Sequence, residues 1–219
     1  MRVLLSWSGG KDSCMTLVEL HRQRGVNVAA LVTTVTEEYD RVSMHGVRRT
    51  LIERQAAALG LPLHTVYIPK SSSNRDYEAR MEEAFEVYRQ QGIRAVAFGD
   101  LFLADVRKYR EEWFSRIRMQ ALFPIWHQDT LGLAKAFIDL GHRAVVTCVD
   151  GRVLAPTFAG RLVDHRFLRD LPKAVDPCGE NGEFHTFVCT GPLFRREVDV
   201  DIGEVIQREV WHFCDLRER

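Results

Sequence analysis

Ser6-Trp7-Ser8-Gly9-Gly10-Lys11-Asp12-Ser13 decides how this chain begins to fold. An apolar run, 3–5, precedes this stretch, and a segment with apolar residues at helical spacing, 14–24, follows it, so the sequence predicts a strand, a glycine turn and a helix. Two adjacent glycines let the backbone turn tightly and expose its N–H groups, and the first turn of a helix adds unpaired donors and a positive dipole end. We therefore predict that the turn binds an anion such as phosphate.

The side chains of this stretch suit a bound polyphosphate. Lys11 supplies a mobile positive charge, and Asp12 supplies a carboxylate for a magnesium ion. The spacing fits neither the Walker A pattern nor G-x-G-x-x-G, which disfavours ordinary kinases and dehydrogenases. A glycine turn with incidental polar neighbours is the alternative, and the strand-to-helix setting argues against it. The nucleotide-binding residues predicted here are Ser6, Ser8, Gly9, Gly10, Lys11, Asp12 and Ser13.

Apolar runs and helical patterns alternate through the first 127 residues. The runs are continuous rather than alternating, which is typical of strands buried on both faces of a parallel sheet. We expect an α/β fold: a doubly wound, Rossmann-like parallel sheet over 1–127 and a smaller α+β domain over 128–219 that ends in a β-hairpin or in edge strands. The strands predicted for the first domain are 3–5, 26–35, 63–68, 94–100 and an edge strand at 123–126.

Several polar residues follow the ends of these strands, where such sheets bind ligands. Thr33 is predicted to lie beside the glycine turn, where backbone groups can hold an adenine, and Gly99 and Asp100 end the fourth strand. Arg107 and Glu111 stand four apart on the next helix, as either site residues or a solvated ion pair.

A dense polar cluster, 176–188, leads into a strand of the second domain. It brings Glu180, Asn181, Glu183 and His185 within six residues. Loops that gather such side chains are seldom merely connective, so these four residues are candidates for catalysis or substrate binding. A polar turn that only caps the domain is the alternative.

Composition narrows the class of protein. The 30 basic residues balance the 30 acidic ones, which argues against a dedicated nucleic-acid surface. Five widely separated cysteines without a C-x-x-C pair predict a reducing, cytoplasmic setting. No apolar run approaches the ~20 residues of a membrane span, so no membrane association is expected.

Taken together, these motifs resemble those of the diphthine–ammonia ligase family. This family belongs to the adenine nucleotide alpha hydrolase superfamily, whose members have a HUP-type fold and a pyrophosphate loop. The Ser-Gly-Gly-Lys-Asp-Ser motif at 8–13 is shared across that superfamily, whereas Gly-Glu-Asn-Gly-Glu-Phe-His-Thr at 179–186 is nearly diagnostic of this family. Met44-His45, Gly99-Asp100 and the 107/111 pair complete the resemblance, which spans nearly the whole chain. The chain is similar to the compact, prokaryotic type of member, with only the two core domains.

The resemblance implies an AMP-forming amide ligase that uses ATP, magnesium and ammonia. A carboxylate of a modified histidine on translation elongation factor 2 would be adenylated, pyrophosphate would leave, and ammonia would displace AMP; in organisms without diphthamide, an unknown small-molecule acceptor would replace the protein. The catalytic residues implied are Lys11, Asp12, Glu180, Glu183 and His185, with Asp12 as the magnesium ligand. The substrate-binding residues implied are His45, Asp100, Arg107, Glu111 and Asn181, and Thr33 and Gly99 join the nucleotide site.

Two other functions use the same loop. Sulfur transfer to tRNA, or another base modification, would require a reactive cysteine and a basic RNA surface, and only Cys178 lies near the predicted site. A regulator that binds ATP without turning it over is the third hypothesis, and the presence of both Lys11 and Asp12 argues against it. Whether the chain forms a homo-oligomer is left open.

Overall fold

The computed structural model describes all 219 residues of the chain. The first part of the chain alternates strands and helices as the sequence predicts, and the last part is richer in strands. In chain order, the elements are β1 Arg2–Ser6, α1 Lys11–Arg22, β2 Asn27–Thr36, β3 Arg41–Val42, α2 Arg49–Leu59, β4 Leu63–Ile68, α3 Asn74–Arg89, β5 Ala95–Ala97, α4 Ala104–Arg116, β6 Gln120–Leu122, α5 Thr130–Asp139, β7 Arg143–Asp150, a short 3-10 helix Pro156–Phe158, α6 His165–Asp170, β8 Phe184–Thr190, β9 Val200–Arg208 and β10 Trp211–Glu218.

The first sheet has six strands: five parallel strands in the order β4-β2-β1-β5-β6, and the short β3, which pairs antiparallel with β2. Its central strand is buried on both faces, and Val3, Leu4 and Leu5 are fully buried, which explains the continuous apolar run. The chain steps from β1 toward β4 on one side and then returns to β5 and β6 on the other. The predicted doubly wound parallel sheet is confirmed, and its strand order reverses beside the glycine turn that follows β1.

The predicted edge strand at 123–126 is wrong. The strand is β6, three residues earlier, where Gln120 pairs with Ala95 of β5, and residues 124–127 form a turn. Pro124 has no N–H to donate to a ladder, so the chain cannot continue the pairing through that position.

The second sheet is antiparallel, with the order β8-β7-β10-β9, and β9 and β10 form the predicted C-terminal hairpin. Together with α5 and α6 it makes the smaller α+β part. Both sheets contribute to one hydrophobic core, in which Leu5 and Leu17 share a cluster with Val145 and Phe187. The domain boundary at 127/128 therefore stays a prediction. No helix of this fold combines the length and the apolar character that crossing a membrane requires.

Candidate active site

The glycine turn between β1 and α1 has a shape that only glycine fits. Gly9 has φ +80°, and a Cβ there would lie 2.5 Å from Ile52 Cδ1. Gly10 caps α1, and a Cβ there would lie 3.0 Å from His45 Cε1. Inside the turn, the Gly10 N–H donates to Ser8 Oγ at 3.3 Å, and Ser13 Oγ donates to the Gly10 carbonyl at 2.9 Å. The turn is thus held in one conformation at the N-terminus of a 12-residue helix, the arrangement that favours an anion.

Gln55 of α2 fixes the turn from behind. Its side chain is fully buried; Nε2 donates to the carbonyls of Gly9 at 3.0 Å and Val188 at 2.6 Å, and Oε1 accepts from Trp7 Nε1 at 2.9 Å. Gln55 lies outside the motifs from which the site was predicted. A signal was present, because Gln55 lies on the same buried face of α2 as Leu51, Ile52 and Leu59, where a glutamine needs buried hydrogen-bond partners.

The edge of β8 closes the other side of the turn. The Lys11 N–H donates to Thr186 Oγ1 at 3.0 Å, and the Val188 N–H donates to the Gly9 carbonyl at 2.9 Å. The second sheet therefore helps to hold the glycine turn in place.

Lys11 and Asp12 form a close pair at the start of α1. Lys11 Nζ lies 2.9 and 2.8 Å from the two Asp12 carboxylate oxygens and also donates to the Cys178 carbonyl. Burial lowers the pKa of Lys11, but the Asp12 carboxylate together with Cys178 and Asp176 more than offsets this, so the net pKa is raised. Burial raises the pKa of Asp12 against the opposing effect of the Lys11 ammonium. The lysine stays charged and its position is fixed by acceptors from both parts of the chain.

A cleft of about 540 Å³ opens in front of this pair. One end is polar and adjoins the glycine turn; the other end is apolar and lies between α3, α4 and the end of β5. Predicted site residues that line the cleft are Ser6, Ser8, Lys11, Asp12, Ser13, Thr33, His45, Gly99, Asp100, Glu180 and His185. The apolar end is formed by Val32, Tyr77, Met81, Phe98, Leu103 and Val106.

Thr33 and Gly99 mark the strand ends that face the cleft. Thr33 is buried, and its Oγ1 has no hydrogen-bond partner although it lies at the cleft wall. An unpaired buried hydroxyl is costly, which suits a group that completes its bonding on a ligand. Gly99 packs against the start of α1, where a Cβ would lie 3.0 Å from the Asp12 carbonyl carbon.

Glu180 reaches across the cleft from the second part of the chain. Its Oε1 accepts from the backbone N–H groups of Leu101 at 2.7 Å and Phe102 at 3.4 Å. Burial raises the pKa of Glu180 to about 7, with the Asp12 and Asp100 carboxylates acting in the same direction and the Leu101 N–H opposing it. A carboxyl group with such a pKa can exchange a proton near neutral pH.

This raised pKa predicts a pH-dependent stability. The folded protein binds the Glu180 proton more tightly than the unfolded chain, so its stabilising effect is complete below about pH 4.5 and is lost as the pH rises through about 7. We expect Glu180→Gln, which keeps the acceptor oxygen, to melt at a higher temperature than the parent above pH 7 and to show a smaller difference near pH 5. Differential scanning fluorimetry across this range measures it; a melting-temperature difference that is constant with pH would contradict it.

Glu183 and Asn181 do not line the cleft. Glu183 is buried and accepts from the N–H groups of Asp176 and Asn181 at 3.0 Å each, and from Asn181 Nδ2 at 2.9 Å. Asp176 Oδ2 in turn accepts from the N–H groups of Cys178 and Glu180, each at 3.0 Å. These two carboxylates shape the 176–183 loop that brings the Cys178 carbonyl to Lys11 and Glu180 to the cleft.

His45 and His185 form a pair at the polar end of the cleft. Their ring centroids are 4.5 Å apart, and His45 Nδ1 lies 3.2 Å from the Thr186 carbonyl. Burial lowers the pKa of His45 to about 4, and burial with the nearby His45 and Lys11 lowers the pKa of His185 well below its usual value. Both rings are neutral at pH 7. Nε2 of His185 is buried without a hydrogen-bond partner, so a ligand can use it.

Arg107 and Glu111 lie outside the cleft. Arg107 Nε is 2.7 Å from Glu111 Oε1 on the exposed face of α4, and its guanidinium lies 4.7 Å from the centre of the Trp126 ring. The arginine that reaches the cleft is Arg110, one helical turn from Arg107, and it pairs with Asp100 at 2.7 Å. The spacing of the Arg107/Glu111 pair predicted their mutual contact but not the side of the helix that faces the cleft.

Comparison with known proteins agrees with these motifs. A family model described as the diphthamide synthase N-terminal domain matches residues 1–121, and one described as the diphthamide synthase C-terminal domain matches residues 129–219. The chain is 27% identical over 228 residues to the diphthine–ammonia ligase of Danio rerio, covering 94% of this chain and 89% of that protein. The Homo sapiens protein of the same name is 27% identical over 229 residues, with 94% and 85% covered.

A phosphoadenylyl-sulfate reductase from Candida auris aligns with a TM-score of 0.36 and 14% identity, over 63% of this chain and 71% of that one. The two family models together span nearly all of the sequence, and each matches one of its two sheets. The chain therefore belongs to the diphthamide synthase family.

Proposed function

We propose that this chain is an ATP-dependent ligase that activates a carboxylate by transferring AMP to it and then forms an amide with ammonia. Its relatives are named diphthine–ammonia ligases. We infer that this chain likewise acts on a carboxylate acceptor and on ammonia. The acceptor would be a carboxylate-bearing residue of elongation factor 2 or, in an organism without diphthamide, a small carboxylic acid.

One observation supports this most. Ser8, Lys11 and Asp12, at the end of the first sheet, line the same cleft as Glu180 and His185 from the second part of the chain. A carboxylate is a poor electrophile, and adenylation gives it a good leaving group. The positive end of α1 and the Lys11 ammonium lie where negative charge develops as pyrophosphate departs, so they stabilise that transition state more than the bound substrate.

The proposed reaction has two steps, adenylation of the acceptor and formation of the amide. The acceptor carboxylate oxygen attacks the α-phosphorus of ATP, and the bond from that phosphorus to the bridging oxygen breaks to release pyrophosphate. Ammonia then attacks the acyl carbon, loses a proton, and the bond to AMP breaks. Glu180, with a pKa raised to about 7, is the cleft group suited to accept that proton. Neutral His185 can accept a hydrogen bond from the incoming nitrogen at its unpartnered Nε2.

Magnesium fits this site in a limited way. No group of three or more His, Cys, Asp or Glu side chains is placed to hold a metal ion. Magnesium is usually bound by one or two carboxylates together with substrate phosphates and waters, so Asp12 at the cleft wall is the residue that would hold it. When bound, the ion would neutralise charge on the phosphates.

Sulfur transfer is a poor match to the cysteines. All five are buried. The Cys178 thiol donates to the Thr130 carbonyl at 3.3 Å, and burial raises its pKa, whereas a nucleophilic cysteine requires an accessible thiolate.

The nucleotide products test the proposal. With α-labelled ATP, magnesium, ammonium and diphthine-bearing elongation factor 2, we expect AMP and pyrophosphate to be the main products and the acceptor to gain an amide, measured by thin-layer chromatography and mass spectrometry. The control omits the acceptor. A regulator that only binds ATP would give no AMP with or without the acceptor, whereas the ligase should form AMP only when the acceptor is present. Formation of ADP and phosphate instead would remove the adenylation step.

Substitutions at 183 and 185 should have different effects. His185→Ala removes a group that faces the cleft, so ATP affinity should stay within a few-fold of the parent while most acceptor-dependent AMP release is lost. Glu183→Gln replaces an acceptor of the Asn181 N–H with a donor, and a lost hydrogen bond to a charged group costs about 1.5–3 kcal/mol. Because each kcal/mol shifts the melting temperature by roughly 2–4 °C in a chain of this size, Glu183→Gln should lower stability, ATP affinity and turnover together.

Calorimetric ATP titration, thermal melts and AMP release measured on both variants check this. If Glu183→Gln melts at the same temperature as the parent but loses turnover, Glu183 has the catalytic role that was predicted from the sequence and not a structural one.

A further inference from the structure

The second sheet ends in an unpaired edge. Its order is β8-β7-β10-β9, and β9 pairs with β10 and with no other strand. At the opposite edge of this sheet, the Val188 N–H of β8 donates to the Gly9 carbonyl, so that edge is covered by the glycine turn. A free edge presents unpaired N–H and C=O groups to any second strand. The outer edge of β9 is therefore where this sheet can be extended.

The β9 edge lacks the residues that usually protect such edges. The strand contains no lysine and no proline, and most of its side chains are exposed. Ile202, Val205 and Ile206 are 54%, 45% and 47% exposed, and Val210 in the turn to β10 is 36% exposed. Four of the thirteen exposed large apolar side chains of this protein thus lie within nine consecutive residues, which indicates a contact surface.

The register with β10 shows which β9 side chains share a face of the sheet. Asp201, Val205 and Arg208 lie opposite positions 217, 214 and 211 of β10, so Val205 is midway between the other two along the strand. Positions 217 and 211 are an even number of residues apart, so Asp201 and Arg208 lie on the same face. A bulge at 203–204 places two residues opposite position 215, which is why the midpoint falls on a residue and not between two.

These positions make β9 complementary to itself. A second copy related by a two-fold axis perpendicular to the sheet would lie antiparallel to β9, with residues equally far from the axis opposite one another. With the axis at Val205, the two Val205 side chains meet, and each Asp201 lies opposite the Arg208 of the other copy. Opposite charges and β-branched side chains that face each other across neighbouring strands stabilise the pairing.

Both charged groups are available for this contact. Arg208 makes no ion pair within the chain, and its guanidinium lies 5.1 Å from the centre of the Tyr39 ring. Asp201 lies 3.4 Å from Arg219 Nε, and its side chain is 58% exposed. Because a carboxylate has two acceptor oxygens, Asp201 can bind a second cation.

We propose that β9 is the homodimer interface of this protein and that it pairs antiparallel with β9 of a second copy about a two-fold axis at Val205. The second sheets of the two copies then form one sheet of eight strands. Because the axis is perpendicular to the sheet, equivalent faces of the two copies lie on the same side. The ring of Trp211, which is opposite Arg208, lies 6.5 Å from the ring of His185, so the histidine pairs of both copies lie on that side.

Sedimentation velocity on the full chain tests the interface. We expect the parent to sediment with twice the mass of one chain. Val205→Glu brings two carboxylates together at the axis and should give a monomer, and because Val205 is exposed in the single chain, this variant should fold. Val87→Glu, on α3 and 49% exposed, is the matched control and should remain a dimer. A monomeric parent or a dimeric Val205→Glu would overturn the proposal.

Charge reversal tests the register. Arg208→Glu and Asp201→Arg each place like charges opposite one another, and each should weaken dimerisation by roughly tenfold, since every dimer contains two such pairs. In the double variant the charges are exchanged but remain opposite in sign, so its dimer should be tighter than that of either single variant. If the double variant dimerises as weakly as the single variants, the axis at Val205 is wrong.

A cross-link gives a result that does not depend on affinity. Side chains directly opposite each other in an antiparallel pair have Cβ atoms about 4.5–5.5 Å apart, close to the separation that a disulfide spans. Under mild oxidation, Val205→Cys should therefore form a covalent dimer, and Val87→Cys should not. The five native cysteines are buried and should stay reduced in both variants. A Val205→Cys chain that runs as a monomer on a non-reducing gel would contradict the proposal.

Discussion

Replacing Lys11 with alanine should slow acceptor-dependent AMP formation by roughly 30- to 1,000-fold, about 2–4 kcal/mol of barrier, the scale of losing one key electrostatic group. Lys11 Nζ lies at the N-terminus of α1, and its position is fixed by both Asp12 carboxylate oxygens and the Cys178 carbonyl. A charge held in place before the reaction stabilises departing pyrophosphate without the cost of reorganisation.

The alanine variant also leaves the Cys178 carbonyl without its lysine partner, so a stability loss must be separated from a catalytic one. Lys11→Met removes the charge and the donor to the Cys178 carbonyl, as alanine does, but it keeps most of the length and apolar bulk of the side chain. Both variants should lose turnover to a similar extent, and Lys11→Met should melt closer to the parent.

The measurements are single-turnover AMP release and thermal melts, with Lys108→Ala on the exposed face of α4 as a control that should behave as the parent. AMP formation by Lys11→Met within threefold of the parent would show that the charge is not needed for pyrophosphate departure.

Gly9→Ala should lower the melting temperature by roughly 4–20 °C and reduce ATP affinity by more than tenfold. A Cβ at φ +80° costs about 1–2 kcal/mol in a left-handed conformation. Overpacking adds about 1–3 kcal/mol, because that Cβ would lie 2.5 Å from Ile52 Cδ1 and 2.7 Å from Gln55 Oε1. At roughly 2–4 °C per kcal/mol, these costs give the expected shift, and displacement of Gln55 releases the Gly9 carbonyl that orients the turn.

The chain offers a matched control in Gly25. It also has φ +80°, but a Cβ there would meet no atom within 4 Å. Gly25→Ala should therefore lose only the conformational part of the stability and bind ATP as the parent does. Equal ATP affinity in Gly9→Ala and Gly25→Ala, measured by calorimetry, would show that the shape of the turn is not what binds the nucleotide.

Much of the fold could be predicted from the local sequence. The strand, glycine turn and helix around Gly9 and Gly10 follow from residues within a few positions of one another, and the parallel sheet follows from the continuous apolarity of β1 and β2. The apolar residues beside Pro124 suggested a strand. The hydrogen-bond ladder with β5 ends before that position, because proline has no N–H to donate.

The family resemblance also came from local motifs. Both sheets match their own family model, and the motifs at 8–13 and 179–186 fall inside the two matched regions. The motif at 179–186 marked the loop that meets the cleft but could not assign its members separate tasks. Glu180 and His185 face the cleft, whereas Glu183 binds the loop's own backbone.

The sequence by itself thus determined the order of the main elements, the glycine turn before α1 and the family, because backbone conformation and burial pattern depend on neighbours along the chain. Only the tertiary structure decided which side chains share the cleft. Thr186 receives the N–H of a residue 175 positions away, Gln55 donates to a carbonyl 133 positions away, and Arg110 rather than Arg107 reaches Asp100. Such partners are set by how two sheets pack on one core, and no spacing along the chain encodes that geometry.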